Sequence, residues 1–186
     1  MEGGVVLPAQ TVITHELIQA VLGHYRLPLA GTHGLTHWGR VLENGRFLGA
    51  QTGARMDVVD LFAVFHDSRR RNEAIDPGHG RRGARLAATL RGRWYDLDET
   101  GFQLLVYACQ AHTDGLTEAD ITIQTCWDAD RLDLPRVGIL ASADFLCTAP
   151  AQEPATIAWA RDRAERRLVL PFLETEWGVP LRDLGV

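Results

Sequence analysis

From Val58 to Phe65 the chain is apolar at every position except Asp60, and the run closes on His66-Asp67-Ser68. A helix that is apolar nearly all round belongs at the centre of a fold, wrapped by other elements. His and Asp at the end of such an element bring an imidazole nitrogen close to a carboxylate. A divalent metal accepts both ligand types. The pair gains meaning from His37 before it and from His79, His112 and Asp130 after it.

The remaining periodicity is helical. Thr14 caps a helix to about Tyr25 with Leu17, Ile18, Val21 and Leu22 on one face. A second helix is expected from about Thr36 to Gln51, with His37 on its first turn and Gly45 and Gly49 admitting a close neighbour. Asp57 is read as the cap of the central helix, with Asp60 in its first turn complementing the dipole. Asp76-Pro77 starts a fourth helix carrying His79. Asp96 or Asp98 caps a fifth that ends at His112, and Asp120 caps a sixth in which Ile123, Trp127 and Asp130 share a face. A carboxylate on that face requires a cation partner. Residues 1–10 read as an irregular lead-in, and Ala149 to Pro154 as a linker. A last amphipathic helix starts near Pro154 and carries Trp159, Ala160, Arg163 and Leu168, with a kink or stop at Pro171. Its charged face, Arg161 to Arg167, is expected in solvent. No strand alternation or internal repeat occurs, so the fold class is all-α: a helical bundle over residues 1–150, with the C-terminal helix of 151–186 packed on it or at a dimer interface.

Composition excludes several functions. All nineteen basic residues are arginine, which rules out a lysine nucleophile or Schiff base. A net charge of -5, with no dense basic run beyond Arg69-Arg70-Arg71, argues against duplex nucleic acid. Cys109, Cys126 and Cys147 form no CxxC, and their odd number suggests neither a disulfide framework nor a cysteine zinc site. No run of about 18 apolar residues points to a membrane span. The opening Met1-Glu2-Gly3-Gly4 lacks a signal peptide's basic start and apolar core. A cytoplasmic protein with reduced thiols is the expectation.

Three local patterns resemble the HD superfamily of metal-dependent phosphohydrolases, over roughly His33 to Arg136. They are His37-Trp38-Gly39-Arg40-Val41, the apolar lead Leu61 to Phe65 into His66-Asp67, and Asp128-Ala129-Asp130-Arg131-Leu132-Asp133. The resemblance implies an HD-domain helical bundle in which His37, His66, Asp67 and Asp130 hold one metal. Asp130 is preferred to Asp128 because the family's ligand opens an Asp-basic-x-Asp pattern; Asp128 is then a supporting or surface acid. His79-Gly80 with Gly83-Ala84 is similar to the His-Gly-x-x-Gly-Ala stretch of some members. His79 and His112 match positions that bind a second metal, with Asp67 bridging. One or two divalent ions (Mn, Fe, Co, Ni or Zn) are implied as cofactors.

The implied chemistry is hydrolysis of a small phosphate ester, a nucleotide among the candidates, by metal-activated water. Asp67 is expected to act as ligand and water orienter, and Glu73 as general acid. Arg69 within the triple arginine, and Arg131 beside a ligand, are the candidates for holding phosphate; the bland readings are a solvated loop and an Arg131–Asp133 pair. Family members that hydrolyse guanosine tetraphosphate carry Glu-Asp where this chain has Arg70-Arg71, which argues against that substrate. Two other readings stay open: a mixed-valence di-iron oxygenase of the same fold, and a non-catalytic regulatory module. A homodimer formed through the last helix is a further expectation.

Overall fold

The computed structural model describes residues 11–185. The lead-in expected over residues 1–10 lies outside them. The described residues are helical, without a strand; only an isolated bridge joins Arg91 and Tyr95.

The apolar run becomes α3, Met56–Phe65, and every residue from Val58 to Phe65 is buried. It is wrapped by α1 (His15–Leu22), α2 (Leu35–Thr52), α4 (His79–Leu90), α5 (Glu99–Ala111) and α6 (Ile121–Arg131). The one polar residue of the buried run Val58 to Phe65, Asp60, is not a free dipole partner. It is held by a fork from Arg46 of α2 at 3.0 and 2.8 Å, which is how a carboxylate is kept 7% exposed. Arg55, not Asp57, occupies the cap position; Asp57 lies in the first turn and accepts from the Val58 amide at 2.8 Å.

Three caps fall where the sequence places them. Thr14, Asp98 and Asp120 accept from the amides of Leu17, Gly101 and Thr122 at 3.1, 2.7 and 2.8 Å. Asp76 does not. It accepts from the Arg71 amide at 2.7 Å and pairs with Arg82, pinning the loop after α3. Gly78, at φ 76°, turns the chain instead, and α4 begins at His79.

The expected linker is a fourth correction. Residues Ala149–Gln152 form the short helix α7, with Ala151 fully buried. Its start is tied to α6 by Asp128, which accepts from the Cys147 amide, the Thr148 amide and the Thr148 hydroxyl, all at 2.8 Å. Asp128 is therefore a buried structural acid, not a surface one. Burial raises its pKa, and those three donors counteract the shift.

Helix α8, Pro154–Glu165, packs on the bundle: Ala160 joins Leu48, Leu132, Leu146 and Ala151 in a small apolar cluster. It ends before Leu168, because Arg167 turns left-handed at φ 50°. Its charged face is not wholly in solvent. Arg163 is buried, donates to Asn44 Oδ1 at 3.0 Å and pairs with Glu43. The short helix α9, Phe172–Thr175, brings Leu173 against Gly39 of α2. Cys109 and Cys126 are buried free thiols and Cys147 is partly exposed. Among the described residues no helix is long and apolar enough to cross a membrane.

Two glycines place α4. A Cβ on Gly80 would collide with the Cys109 carbonyl and approach the His112 ring at 2.9 Å; a Cβ on Gly83 would collide with the Phe65 carbonyl. Bare backbone at both points lets α4 sit directly on α3 and α5, which carries His79 to His112. Gly80→Ala is expected to destabilise the protein by about 1–3 kcal/mol through overpacking. Denaturant unfolding measures that loss, and metal titration should show His79 and His112 displaced from each other.

Candidate metal centre

Four buried histidines converge on one carboxylate. His37 lies on the first turn of α2, His66 and Asp67 follow the last turn of α3, His79 opens α4, and His112 caps the end of α5. His37 and His66 are fully buried, Asp67 is 2% exposed, and His79 and His112 are each 5% exposed.

The groups form two adjoining cradles. In the first, the Nε2 atoms of His37 and His66 lie 3.0 Å apart. Asp67 Oδ2 stands 3.7 and 3.9 Å from them, and Asp130 Oδ1 3.4 and 3.8 Å. In the second, the Nε2 atoms of His79 and His112 lie 2.9 Å apart, with Asp67 Oδ1 at 3.1 and 3.8 Å. Asp67 thus gives one oxygen to each cradle. Both His-Asp groups have the spacing of a metal site.

Hydrogen positions follow from the far side of each ring. The Nδ1 of His66 faces the Phe62 and Ala63 carbonyls at 3.1 and 3.2 Å. That of His79 faces the Asp76 carbonyl at 2.7 Å, and that of His112 the Cys109 carbonyl at 2.7 Å. The Nδ1 of His37 faces Asp133 Oδ2, again at 2.7 Å. Carbonyls and carboxylates only accept, so each Nδ1 carries the hydrogen. In the neutral ring the Nε2 is then a bare lone pair, and two pairs of lone pairs face each other at hydrogen-bond distance. A cation relieves that repulsion. With metal–nitrogen bonds of about 2.0–2.1 Å, neighbouring ligand atoms stand about 3.0–3.4 Å apart; the paired nitrogens, at 3.0 and 2.9 Å, are close to that, and the carboxylate oxygens stand at 3.1 to 3.9 Å. The donor set therefore fits a divalent transition metal.

Protonation agrees with this at the first cradle and differs at the second. Burial, with Arg136 beside it, holds His37 well below the usual imidazole range, and burial also lowers His66. Burial opposes the charge on Asp67, but the rings of His66, His112, His79 and His37 outweigh it and keep the carboxyl well below its ordinary value. Asp130 is lowered in the same way against burial, chiefly by His66 and His37. For His112 the burial penalty is exceeded by Asp67 and Asp130, and its pKa rises.

The other candidates take varied positions. Arg69 is not at the cluster; it donates to the His24 carbonyl at 2.7 Å on another face. Arg70 is there instead. It is buried, with Nη1 3.3 Å from His79 Nε2 and 3.5 Å from Asp67 Oδ1, while Nη2 donates to the Ala74 carbonyl at 2.6 Å. Glu73 accepts from His33 at 2.7 Å and is directed at that ring. Arg131 donates to the carbonyls of Phe145 and Leu116 at 2.8 and 2.7 Å and does not pair with Asp133.

Sequence reading missed Asp133, Arg40 and Arg136 as supports. Arg40 forks Asp133 at 2.7 and 3.0 Å, which orients the carboxylate behind His37. Arg136 donates to the carbonyls of Thr32 and Asp133 at 3.0 Å each. The x-x-Arg after His37 and the final Asp of Asp130-x-x-Asp133 were visible signals for the first two.

No family model, curated protein or solved structure matches this chain.

Two outcomes are expected. Asp133→Asn sets an amide NH₂ against an Arg40 donor in either orientation, and in one of them against His37 as well, so metal affinity should fall about 10–100-fold while circular dichroism shows the fold retained; calorimetric titration with Mn²⁺ or Zn²⁺ measures it. Adding metal to chelator-treated protein at about 100 times its Kd should raise unfolding free energy by about 2.7 kcal/mol, read by denaturant melts with and without the ion.

Proposed function

We propose that this chain is a metal-dependent phosphohydrolase of the HD superfamily that cleaves a small phosphate ester. The observation that carries the reading is Asp67, whose two oxygens each face a separate pair of histidine Nε2 atoms. His37, His66, Asp67 and Asp130 would hold one divalent ion, and His79, His112 and Asp67 a second. Such ions polarise a phosphoryl oxygen and lower the pKa of bound water.

The chain's own residues supply orientation and charge. Asp67 and Asp130 remain ionised and accept hydrogen bonds from an attacking water, aligning its lone pair with phosphorus. Arg70 offers a fixed donor to a phosphoryl oxygen. Its Nη2 is anchored on Ala74, which leaves Nη1 facing the second cradle. A donor set in advance where negative charge develops contributes most when it need not reorganise. The buried network of Asp133, Arg40 and Arg136 holds His37 in the tautomer that binds metal. Glu73 is left out as general acid, because its carboxylate is committed to His33.

The second cradle also supports the di-iron oxygenase reading, since two histidines and a shared carboxylate complete a binuclear set. Metal per chain on anaerobically purified protein separates the two. Mn, Co or Ni with phosphate release from a panel of monoesters supports hydrolysis. Two iron per chain with oxygen consumption supports oxidation instead. For hydrolysis, Arg70→Ala should lower kcat by about 100-fold or more without loss of metal, and Asp67→Ala should abolish both loading and turnover.

A further inference from the structure

The metal centre is nearly sealed. Its most open ligand is Asp130, with a side chain 14% exposed, while His37 and His66 are at 0%. A cavity of about 420 Å³ has Asp130 and His112 in its wall, and Arg131 beside them. That volume lies within the range of about 300–1,000 Å³ usual for small-molecule sites. Anything reacting at the cluster from this side has its other end in that cavity.

Most of the remaining wall is apolar, with Leu134, Ile139, Leu140, Phe145 and Leu146; Thr113 and Ser142 are its other polar side chains. Ile139, Leu140 and Phe145 are 54%, 61% and 64% exposed, three large apolar side chains close in sequence that the fold itself does not cover. Leaving such a group in water is unfavourable, and its place beside a reactive centre marks a binding surface. The one cation in the wall, Arg131, has both terminal nitrogens committed to main-chain carbonyls. Its guanidinium braces the two sides of the groove through the carbonyls of Phe145 and Leu116.

We propose that this groove seats an apolar substituent of the substrate, so that the favoured substrates are phosphate monoesters of aromatic or aliphatic alcohols and not nucleotides. The inference rests on the phosphohydrolase reading. In the reaction, a water oxygen bonds to phosphorus as the ester P–O bond breaks. One proton of that water leaves with the alcohol and the other stays on the released phosphate.

Binding of stable phosphonates to the Mn²⁺-loaded protein, followed by calorimetry, tests it. (2-Naphthylmethyl)phosphonate should bind at least tenfold more tightly than methylphosphonate and more tightly than adenosine monophosphate. Ile139→Ser with Leu140→Ser, both exposed and safe for folding, should narrow the naphthyl advantage to threefold or less at unchanged metal content. Methylphosphonate binding with no gain from the naphthyl group overturns the groove assignment and leaves the phosphohydrolase reading standing. Binding of 2-naphthalenemethanol but of neither phosphonate overturns the phosphate reading and the proposal together. Tighter binding of adenosine monophosphate also overturns it, as does a wild-type dimer that the double substitution dissociates, since the groove is then an interface between copies.

Discussion

Bare imidazole nitrogens facing each other at 3.0 and 2.9 Å are the feature on which the rest of this structure depends. Water cannot relieve them, because the rings are buried. Protonation is disfavoured at His37 and His66, where burial opposes the charged form. At that pair what remains is a positive charge from outside the chain; at the second, the raised pKa of His112 and the nearby Arg70 contribute positive charge of the chain's own, and the Asp67 carboxylate between the pairs supplies counter-charge to both. An uncompensated carboxylate at 2% exposure would itself be costly, so the histidines and the acid each require what the other helps to bind.

Fixing four rings on four helices demands a rigid frame, and most of the chain's unusual features serve it. The apolar run of α3 fixes His66 and Asp67 at the core, where main-chain carbonyls of the last helical turn orient the His66 ring. His79, which opens α4, uses the Asp76 carbonyl of the preceding loop, and the device seen at His66 recurs at His112, whose Nδ1 returns to the carbonyl three residues earlier. Using the helix's own free carbonyls this way satisfies acceptors that a helix end leaves without partners. His37 differs. Its orienting acceptor is a side chain and not a main-chain carbonyl. Asp133 fills that role and is itself fixed by Arg40.

That difference explains what the sequence disclosed. Helices and their apolar faces were legible because their signals are local: the α3 run, and caps at Thr14, Asp98 and Asp120. Ligand types were legible because histidine and aspartate on apolar faces need a reason. The failures are long-range. Asp76 looked like a cap, yet Arg82, six residues on, competes for its carboxylate. The Ala149 to Pro154 stretch looked like a linker because Asp128, which anchors it, lies twenty residues earlier. Arg69 and Arg70 are equivalent in sequence; only the fold of the loop shows which one turns inward. Asp133 and Arg40 are 93 residues apart, and nothing local pairs them.

The two sides of the metal centre are built oppositely. Behind His37 lies a dense buried network in which Arg40 and Arg136 both face the Asp133 carboxylate. In front, beyond Asp130 and His112, the wall is mostly apolar and its one arginine is bound to main-chain carbonyls. Charge at the back stiffens the ligands, since moving any member exposes another buried charge. An apolar front excludes water from a bound substrate and strengthens every electrostatic contact at the cluster. On the proposed function it would favour a substrate with a charged head to meet the metal ions and Arg70, and a body that gains by leaving water.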